Sequence, residues 1–328
     1  MVAEVGPVTS GSAMGGSTKH LLAQELHPLI AAIPSLDITR DNLSRLRAVR
    51  AQDSMLADAD AAGVIREEIM VPGEQRAVRC LLYRPKKTAS GRPGYLHIHG
   101  GGYIMGSPEG SDRGNVAVSA KLGVVVLSVD YRLAPEHPVP APLDDCYAGL
   151  AWLHEHADAY GIDPKRIGVG GESAGGGLAA GVAIRARDAG DYTLCHQQLT
   201  YPMLDNLTGD AAHQGDPLVG EFVWTRARNQ FGWASFLGDA PAIAPQVPAR
   251  VSSYAGLPNT WMFTASLDLF RDENIEYAQC LLRAGVAVDL EIFSGACHGF
   301  QMLPGTRIGA RYIAAHMAAL ARGLGVER

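Results

Sequence analysis

The chain has 328 residues, which is enough for one large α/β domain or for a domain with an added lid. A hydrophobic fraction of 47% and a mean hydropathy of +0.02 are typical of a globular protein with a large apolar core. The formal net charge of -6 argues against a polyanionic partner, so we expect no nucleic acid ligand.

The cysteine spacing and the length of the apolar runs indicate where in the cell the protein is expected. The five cysteines include no C-x-x-C pair, which favours free thiols in a reducing compartment over disulfides or a zinc site. No apolar run approaches the roughly 18 residues of a membrane span. Residues 1–17 lack the basic and apolar pattern of a signal peptide. We therefore expect a cytoplasmic protein with no membrane span and no bound metal.

The first 60 residues predict cap helices behind a flexible lead. Residues 1 to about 19 are rich in small residues and low in aromatic ones, which is typical of disorder. Two short amphipathic helices follow; Pro28 and Pro34 interrupt the first, and Thr39 can cap the second. Their apolar faces must be buried, either as a lid over an active site or against the outer face of a sheet.

From Arg66 the periodicity changes to that of strands. Residues 68–71 and 78–83 predict an antiparallel hairpin around a turn at 72–74. Further strands, separated in part by helical stretches, are predicted at 95–99, 124–129, 167–169, 198–201, 261–265 and 286–293. Strands that alternate with helices predict an α/β fold with a mostly parallel central sheet covered by helices on both faces.

Residues 203–250 interrupt the alternation and predict an insertion above the carboxyl edge of the sheet. Aromatic residues cluster around one helix of this insertion: Phe222, Trp224, Phe231, Trp233 and Phe236. They either line an apolar substrate pocket or only anchor the insertion. The predicted division is cap helices in 1–60, a catalytic domain in 61–202 and 251–328, and a cap insertion in 203–250.

A G-x-S-x-G stretch centred on Ser173 stands between a predicted strand and a predicted helix. Gly171 and Gly175 suit a sharp turn because a Cβ at either position would crowd it, and the turn exposes the serine hydroxyl. The motif alone is weak evidence. Other glycine-rich motifs fit less well, since a dinucleotide fingerprint needs glycine in place of Ser173 and a phosphate-binding loop needs a lysine.

A serine nucleophile requires a base and an acid to orient that base. Asp268 follows the strand 261–265, and His298 follows the strand 286–293, in the chain order expected for such a turn. Asp272 and Glu273 are rival acids. They lie at the start of the next predicted helix, where the helix dipole already explains acidic residues.

Three glycines follow the predicted strand that ends at His99. Gly100, Gly101 and Gly102 carry no side chains, so their backbone N–H groups can approach a ligand closely. Together with the N–H of Ala174, such a loop can hold an oxyanion. A merely flexible loop explains the tripeptide alone, but it fits poorly with a serine turn and a Ser-Asp-His order in the same chain.

These motifs, taken together, make the chain similar to the hormone-sensitive-lipase-like esterases of the α/β-hydrolase fold. The matching stretches lie at 99–102, 130–138, 171–175, 268 with 271–273, and 298–300. The resemblance implies Ser173 as nucleophile, His298 as base and Asp268 as acid. It implies Gly101, Gly102 and Ala174 as oxyanion donors.

The same resemblance implies hydrolysis of small-molecule esters with short to medium acyl chains and no cofactor. Many members of the family form dimers, so a homodimer is one expected state. Three glycines in the oxyanion loop further imply room for esters of bulky tertiary alcohols. Candidate substrate contacts are Tyr103, Glu172, Phe222, Trp224 and Trp233.

The chain departs from the family pattern at two places. Glu172 stands where the family often has Asp, and Asp268-Leu269-Phe270 replaces the usual Asp-Pro-Leu. Within the stretch 130–138, Arg132 and Glu136 are expected to hold a buried polar network behind the oxyanion loop.

Two other functions stay open at this point. The chain also resembles non-catalytic small-molecule receptors of the same fold, but those lack the catalytic histidine that His298 would supply. An amidase or peptidase is the nearer alternative, since the same residues can attack an amide.

Overall fold

The computed structural model describes residues 17–32, 37–52 and 56–326. The predicted flexible lead lies outside the described residues except for residues 17–19, and Pro34 lies outside them as well. Residue 17 precedes a short 3-10 helix at Thr18–Leu21.

One eight-stranded sheet forms the centre of the molecule. Its strands in chain order are β1 (Val64–Val71), β2 (Val78–Pro85), β3 (Arg92–Ile98), β4 (Val125–Val129), β5 (Ile162–Glu172), β6 (His196–Thr200), β7 (Asn259–Ala265) and β8 (Val288–Phe293). The spatial order is β1-β2-β4-β3-β5-β6-β7-β8. The predicted hairpin of β1 and β2 is confirmed as antiparallel, and every neighbouring pair from β4 to β8 is parallel.

Helices cover both faces of this sheet, which confirms the predicted α/β architecture. The α-helices of the described residues are α1 (His27–Ala32), α2 (Arg40–Gln52), α3 (Asp112–Leu122), α4 (Ala141–Glu155), α5 (Ala157–Tyr160), α6 (Ala174–Ala189), α7 (Arg226–Leu237), α8 (Arg271–Arg283) and α9 (Arg307–Gly323).

Strand β4 shows how the two faces are filled. All of its side chains are buried, as expected for the inner strand of a parallel sheet. Val125, Leu127 and Val129 belong to one buried cluster together with residues of α4 and α6, whereas Val126 belongs to another together with residues of α3 and α9. The period of two places alternate residues in the two cores.

The parallel topology sets the position of a functional site. Parallel strands that share a sheet have their carboxyl ends at one edge, where α/β proteins bind ligands. The segments that follow β3, β5, β6, β7 and β8 all begin there.

The N-terminal segments contact loops at this edge. The Ala23 N–H donates to Gly295 O (2.9 Å), and Leu22 and Leu26 pack with apolar residues that follow β8. On α2, the Arg47 guanidinium donates to Ile104 O at 2.7 Å, and also to an oxygen of Glu136. The helices thus lie against the segment after β3 and the segment after β8.

Arg132 forms a buried ion pair on the α4 side of the sheet. Its guanidinium donates to both Asp145 oxygens, and the Arg132 N–H donates to Oδ2 at 2.9 Å. The side chains are 7% and 3% exposed. Glu136 does not belong to this network: its side chain is 53% exposed and pairs with Arg47. The expectation of a shared buried network was therefore wrong for Glu136, because the chain turns its carboxylate to the surface.

We expect Asp145→Ala to lower the free energy of unfolding by about 3–5 kcal/mol at pH 7, because it leaves the Arg132 guanidinium buried without its carboxylate. Urea unfolding measures the change. Asp289→Ala is the matched control, since Asp289 pairs with Arg322 at the surface, where both side chains are more than 60% exposed. Its cost should stay near 0–1 kcal/mol, the range for surface pairs. Equal losses in both variants would contradict the account.

Candidate active site

Ser173 stands at the turn between β5 and α6 in a backbone conformation that side chains rarely adopt. Its φ is 58° and its ψ is -122°. Such a conformation costs a non-glycine residue free energy and persists only where the surroundings enforce it. Here the Ser173 N–H donates to Thr200 O, and Ser173 O accepts from the N–H groups of Gly177 and Met203, each at 3.0 Å.

The flanking glycines are required because the turn lies directly against the end of β3. A Cβ on Gly175 would overlap Ile98 O and lie 2.5 Å from His99 O. A Cβ on Gly171 would also overlap Ile98 O and would lie 2.7 Å from the carbonyl carbon of Gly175. These obstacles are backbone atoms, so they cannot move aside as a flexible side chain would. Because both positions are glycine, the turn that carries Ser173 can pack directly against the end of β3.

Ser173, His298 and Asp268 form a continuous hydrogen-bonded chain. The distance from Ser173 Oγ to His298 Nε2 is 2.9 Å, and that from His298 Nδ1 to Asp268 Oδ2 is 2.8 Å. A carboxylate only accepts, so Nδ1 carries the proton and Nε2 is free to accept from the serine hydroxyl. The three residues are 6%, 6% and 1% exposed, respectively. This is the geometry that a serine needs to become a nucleophile.

Asp268 is fixed by the turn that follows β7. The Phe270 N–H donates to Asp268 Oδ1 at 2.9 Å, which leaves Oδ2 for the histidine. The sequence rivals lie elsewhere. Asp272 is exposed and pairs with Arg271 in the first turn of α8, as the helix-dipole explanation expects.

Glu273 has a different role from the one that the helix dipole suggested. Its carboxylate accepts from the Leu204 N–H at 2.7 Å and from the Thr208 hydroxyl. Burial raises the pKa of Glu273 well above its usual range. The residue thus fastens the segment after β6 to α8. Its position in a first helical turn gave no sign of this contact.

The loop of three glycines follows β3 and lies beside the serine turn. Gly101 and Gly102 have φ of 129° and 61°, and Gly101 O accepts from the N–H groups of Ile104 and Met105. Within the described part of the chain, the hydrogen bonds include none donated by the Gly101 or Gly102 N–H. Ala174 is the first residue of α6, whose leading N–H groups have no partner within the helix. These N–H groups are the ones that the sequence predicted as oxyanion donors, and that role stays a prediction.

The side chain of His99 holds this loop by a hydrogen bond to its backbone. Its ring stacks on Tyr131 with 4.2 Å between centroids, and the Tyr131 hydroxyl donates to His99 O at 3.0 Å. Its Nδ1 lies 2.8 Å from Gly100 O, to which it can only donate. Burial lowers the pKa of His99 to about 4, so the ring is neutral at pH 7. The neutral, buried His99 side chain therefore holds the loop in place.

The five candidate substrate contacts occupy different environments. Trp224 lies near the triad, with 6.2 Å between its ring centroid and that of His298. Phe222 belongs to the same buried cluster as Leu22 and Leu26 of the N-terminal segment. Tyr103 is fully buried: its ring stacks on Phe236 at 3.9 Å, and its hydroxyl donates to Met203 O.

Trp233 lies beside Tyr103, with 5.2 Å between ring centroids, and is 3% exposed. Tyr103 and Trp233 thus form part of the packing between the oxyanion loop and α7. Among the five candidates, Trp224 is the one whose ring lies beside that of His298.

Glu172 points to the face of the sheet that α3 and α9 cover. Its oxygens lie 3.3 and 3.4 Å from His97 Nε2, and its side chain is 25% exposed. His97 Nδ1 lies near Ser128 Oγ (2.9 Å) and Asn115 Nδ2 (3.3 Å), so it accepts, and Nε2 carries the proton toward Glu172. Burial acts to raise the pKa of Glu172, but the interactions with His97 and His316 together outweigh burial, so that pKa is lowered.

Two residues near the histidine were missed by the sequence reasoning. The Tyr201 ring lies 4.4 Å from the His298 ring, and the Phe270 ring meets it edge-on at 5.3 Å. Tyr201 has a φ of 34°, a value that is rare for a tyrosine. The available signal was their position, since Tyr201 directly follows β6 and Phe270 follows β7 at the same edge of the sheet.

The described residues form neither a metal site nor a membrane-spanning helix. Among residues 17–32, 37–52 and 56–326, no group of three or more His, Cys, Asp and Glu side chains is arranged to hold a metal ion. No helix in those ranges is long and apolar enough to cross a bilayer. All five cysteines are free thiols.

Comparison with known proteins gives consistent matches. A family model described as alpha/beta hydrolase fold matches residues 95–302. The carboxylic ester hydrolase LipN of Mycobacterium tuberculosis is 37% identical over 242 residues, which cover 71% of this chain and 63% of LipN. The chain thus spans less than two thirds of the length of that relative. The carboxylesterase NlhH of the same species is 35% identical, covering 67% of this chain and 70% of NlhH.

Solved structures agree with these matches over nearly the whole chain. A bacterial heroin esterase superposes with a TM-score of 0.86 and 37% identity, covering 94% of this chain and 99% of that chain. The esterase LipW from Mycobacterium marinum gives a TM-score of 0.83 and 33% identity, covering 93% and 96% of the two chains.

We expect Gly175→Ala to lower the free energy of unfolding by about 1–3 kcal/mol, because its Cβ would collide with backbone atoms at the end of β3. If the turn moves to make room for the added Cβ, Ser173 shifts with it and a serine-dependent activity falls about 100-fold. Gly114→Ala is the control, since its Cβ would meet no atom within 4 Å on an exposed part of α3. That change should stabilise by about 0.5–1 kcal/mol. A Gly175→Ala variant with unaltered stability and activity would refute the contact argument.

Proposed function

Since the chain belongs to the alpha/beta hydrolase fold family, we propose that it is a serine carboxylesterase that cleaves short- to medium-chain acyl esters through an acyl-enzyme. One observation carries the proposal: the unbroken chain of hydrogen bonds from Ser173 through His298 to Asp268. The names of the relatives, carboxylic ester hydrolase and carboxylesterase, support the reaction class.

In the first half of the reaction, Ser173 Oγ attacks the ester carbonyl carbon. His298 Nε2 takes the hydroxyl proton as the new C–O bond forms, and the resulting imidazolium is stabilised by the Asp268 carboxylate. The tetrahedral intermediate collapses when the bond to the alcohol oxygen breaks. His298 returns its proton to that oxygen, the alcohol leaves, and the acyl group stays on Ser173.

In the second half, water takes the place of the alcohol. His298 accepts a proton from the water as its oxygen attacks the acyl carbon, and it returns this proton to Ser173 Oγ as the acid departs. Atoms and charge balance over the cycle: one ester and one water give one acid and one alcohol.

Charge on the carbonyl oxygen is held by the backbone in both halves. We assign Gly101, Gly102 and Ala174 as donors because two of them lack protein acceptors among the described residues and the third begins a helix. The dipole of α6 adds partial positive charge at the same point. Loss of one such donor costs about 2.7–4 kcal/mol of transition-state stabilisation in a protease.

We further propose that residues 1–60 and 203–250 act as a cap over the pocket. Support comes from Arg47, which binds the segment after β3, and from Leu22 and Leu26, which pack beside the His298 loop. A cytoplasmic location agrees with five free thiols. A homodimer is proposed from the family alone, and sedimentation at micromolar concentration tests it.

Ser173→Ala should reduce the hydrolysis of p-nitrophenyl butyrate by at least about 10³-fold, because the acyl-enzyme can no longer form. Circular dichroism and a thermal melt establish that the variant is folded. Ser90→Ala, at an exposed serine, is the control and should keep full activity. A folded Ser173→Ala variant with wild-type activity would falsify the mechanism.

Asp268→Asn should keep the fold yet lower kcat by about 10⁴-fold, the loss seen for the equivalent change in a serine protease triad. An amide at this position favours the tautomer with Nδ1 unprotonated, which leaves a proton on Nε2 and removes the base. Steady-state kinetics measure the loss. Asp272→Asn is the matched change on the exposed neighbour, and an equal effect there would overturn the assignment of the acid.

The two alternative functions make different predictions. A non-catalytic receptor would not react with a fluorophosphonate, whereas an activated Ser173 becomes phosphonylated. An amidase would cleave p-nitrobutyranilide at a rate that rivals p-nitrophenyl butyrate. We expect labelling and a strong preference for the ester.

A further inference from the structure

The indole of Trp224 occupies the space that a side chain at Gly102 would fill. A Cβ built on Gly102 would overlap Trp224 Cη2 and lie 2.6 Å from Cζ2. The same ring is near His298 and is only 7% exposed. Trp224 therefore reaches from the oxyanion loop toward the catalytic base. The absence of a side chain at Gly102 leaves no open room there.

The backbone beside Trp224 is held in a strained turn. The Trp224 N–H donates to Phe222 O at 2.7 Å, which closes a three-residue turn around Val223. Val223 has a φ of 60°, a rare value for a β-branched residue, and the Arg228 guanidinium donates to its carbonyl. Such strain persists only where surrounding contacts enforce it, and it clusters at functional sites.

The other end of Trp224 is also fixed. Its Nε1–H donates to Asn229 Oδ1 at 3.1 Å, and the fully buried Asn229 donates in turn to Thr208 O at 2.8 Å. Backbone and indole are thus held independently. Swinging the ring away would break a buried hydrogen bond, which is costly. Trp224 is therefore a fixed wall between Gly102 and His298.

The position of this wall bears on the alcohol half of an ester. In the stable Z form of an ester, the carbinol carbon lies on the same side as the carbonyl oxygen. When that oxygen sits on the loop N–H groups, the carbinol carbon must lie near Gly102. The alcohol oxygen must also reach His298 to receive its proton. Both requirements lead the alcohol past the indole of Trp224.

We propose that Trp224 is a specificity-determining residue that admits esters of primary alcohols and excludes those of tertiary alcohols. A primary carbinol carbon carries two hydrogens toward the wall, whereas a tertiary one replaces both with methyl groups. Fixed atoms cannot yield to that added volume. The family resemblance implied room for tertiary alcohols beside three glycines, and Trp224 fills that room. This inference rests on the proposed esterase activity.

The test compares kcat/KM for n-butyl acetate and tert-butyl acetate, two esters with the same acyl group and the same atoms in the alcohol. Both are followed in a pH-stat for the wild type and for Trp224→Ala, Trp224→Leu and Trp224→Phe. Trp152→Phe is the control, because Trp152 stacks on His156 in the core between α4 and α5. Thermal melts establish which variants are folded.

We expect the wild type to hydrolyse n-butyl acetate strongly in preference to tert-butyl acetate. Trp224→Ala should raise the tert-butyl to n-butyl ratio by at least about 10-fold, since each excluded methyl is worth about 10-fold or more. Trp224→Leu should give a smaller rise, Trp224→Phe the smallest, and Trp152→Phe none. Asn229→Ala, which frees the indole, should shift the ratio in the same direction.

Two results would overturn the proposal: a wild type that hydrolyses both esters at similar rates, or folded Trp224→Ala and Trp224→Leu variants with the wild-type ratio. An equal gain on both esters would also overturn it, because Trp224 would then control access and not the shape of the alcohol. Failure of the esterase proposal looks different, since the wild type would then leave n-butyl acetate intact.

Discussion

The contact between the serine turn and the end of β3 is the constraint on which the site depends. Two glycines, Gly171 and Gly175, bring the turn against Ile98 O. Because the oxyanion loop continues directly from β3, this contact places its N–H groups beside Ser173. Hydrogen bonds to Thr200 O and from the N–H groups of Met203 and Gly177 hold Ser173 at its positive φ. One backbone contact thus fixes the proposed nucleophile relative to the proposed oxyanion donors of the glycine loop.

The remaining groups reach this point from the ends of other parallel strands. Asp268 follows β7 and His298 follows β8; both are buried and held by hydrogen bonds, and aromatic rings pack around His298. Polar groups further out keep the loops in position: Glu273 holds the segment after β6, and Arg47 holds the segment after β3. A wall at Trp224 then limits what can approach. Rigid support of this kind is what a preorganised oxyanion site requires.

The sequence predicted the sheet and the hairpin, and it singled out three residues that hydrogen bonds join in the structure, because strand periodicity and glycine spacing are local signals. It could not show what Trp224 or Glu273 contact, since these partners are distant along the chain and arise only from packing. Glu136 illustrates the same limit: its motif suggested burial, yet the folded chain exposes it to Arg47. Glu172 had no assigned partner in the sequence, and its pairing with His97 required knowing which residues of β3 and β5 face α3 and α9. Local patterns indicate elements and chemistry, whereas long-range contacts decide which polar residues are buried.

The central claim is that Ser173 itself carries the acyl group, and covalent modification tests this most directly. Treatment with diethyl p-nitrophenyl phosphate, followed by peptide mass spectrometry, locates the phosphorylated residue while ester hydrolysis is assayed on the same sample. The account predicts a single diethylphosphoryl group on Ser173 and a loss of activity in proportion to its occupancy. Full ester hydrolysis by protein that is phosphorylated on Ser173, or inactivation with the group on another residue, would contradict it.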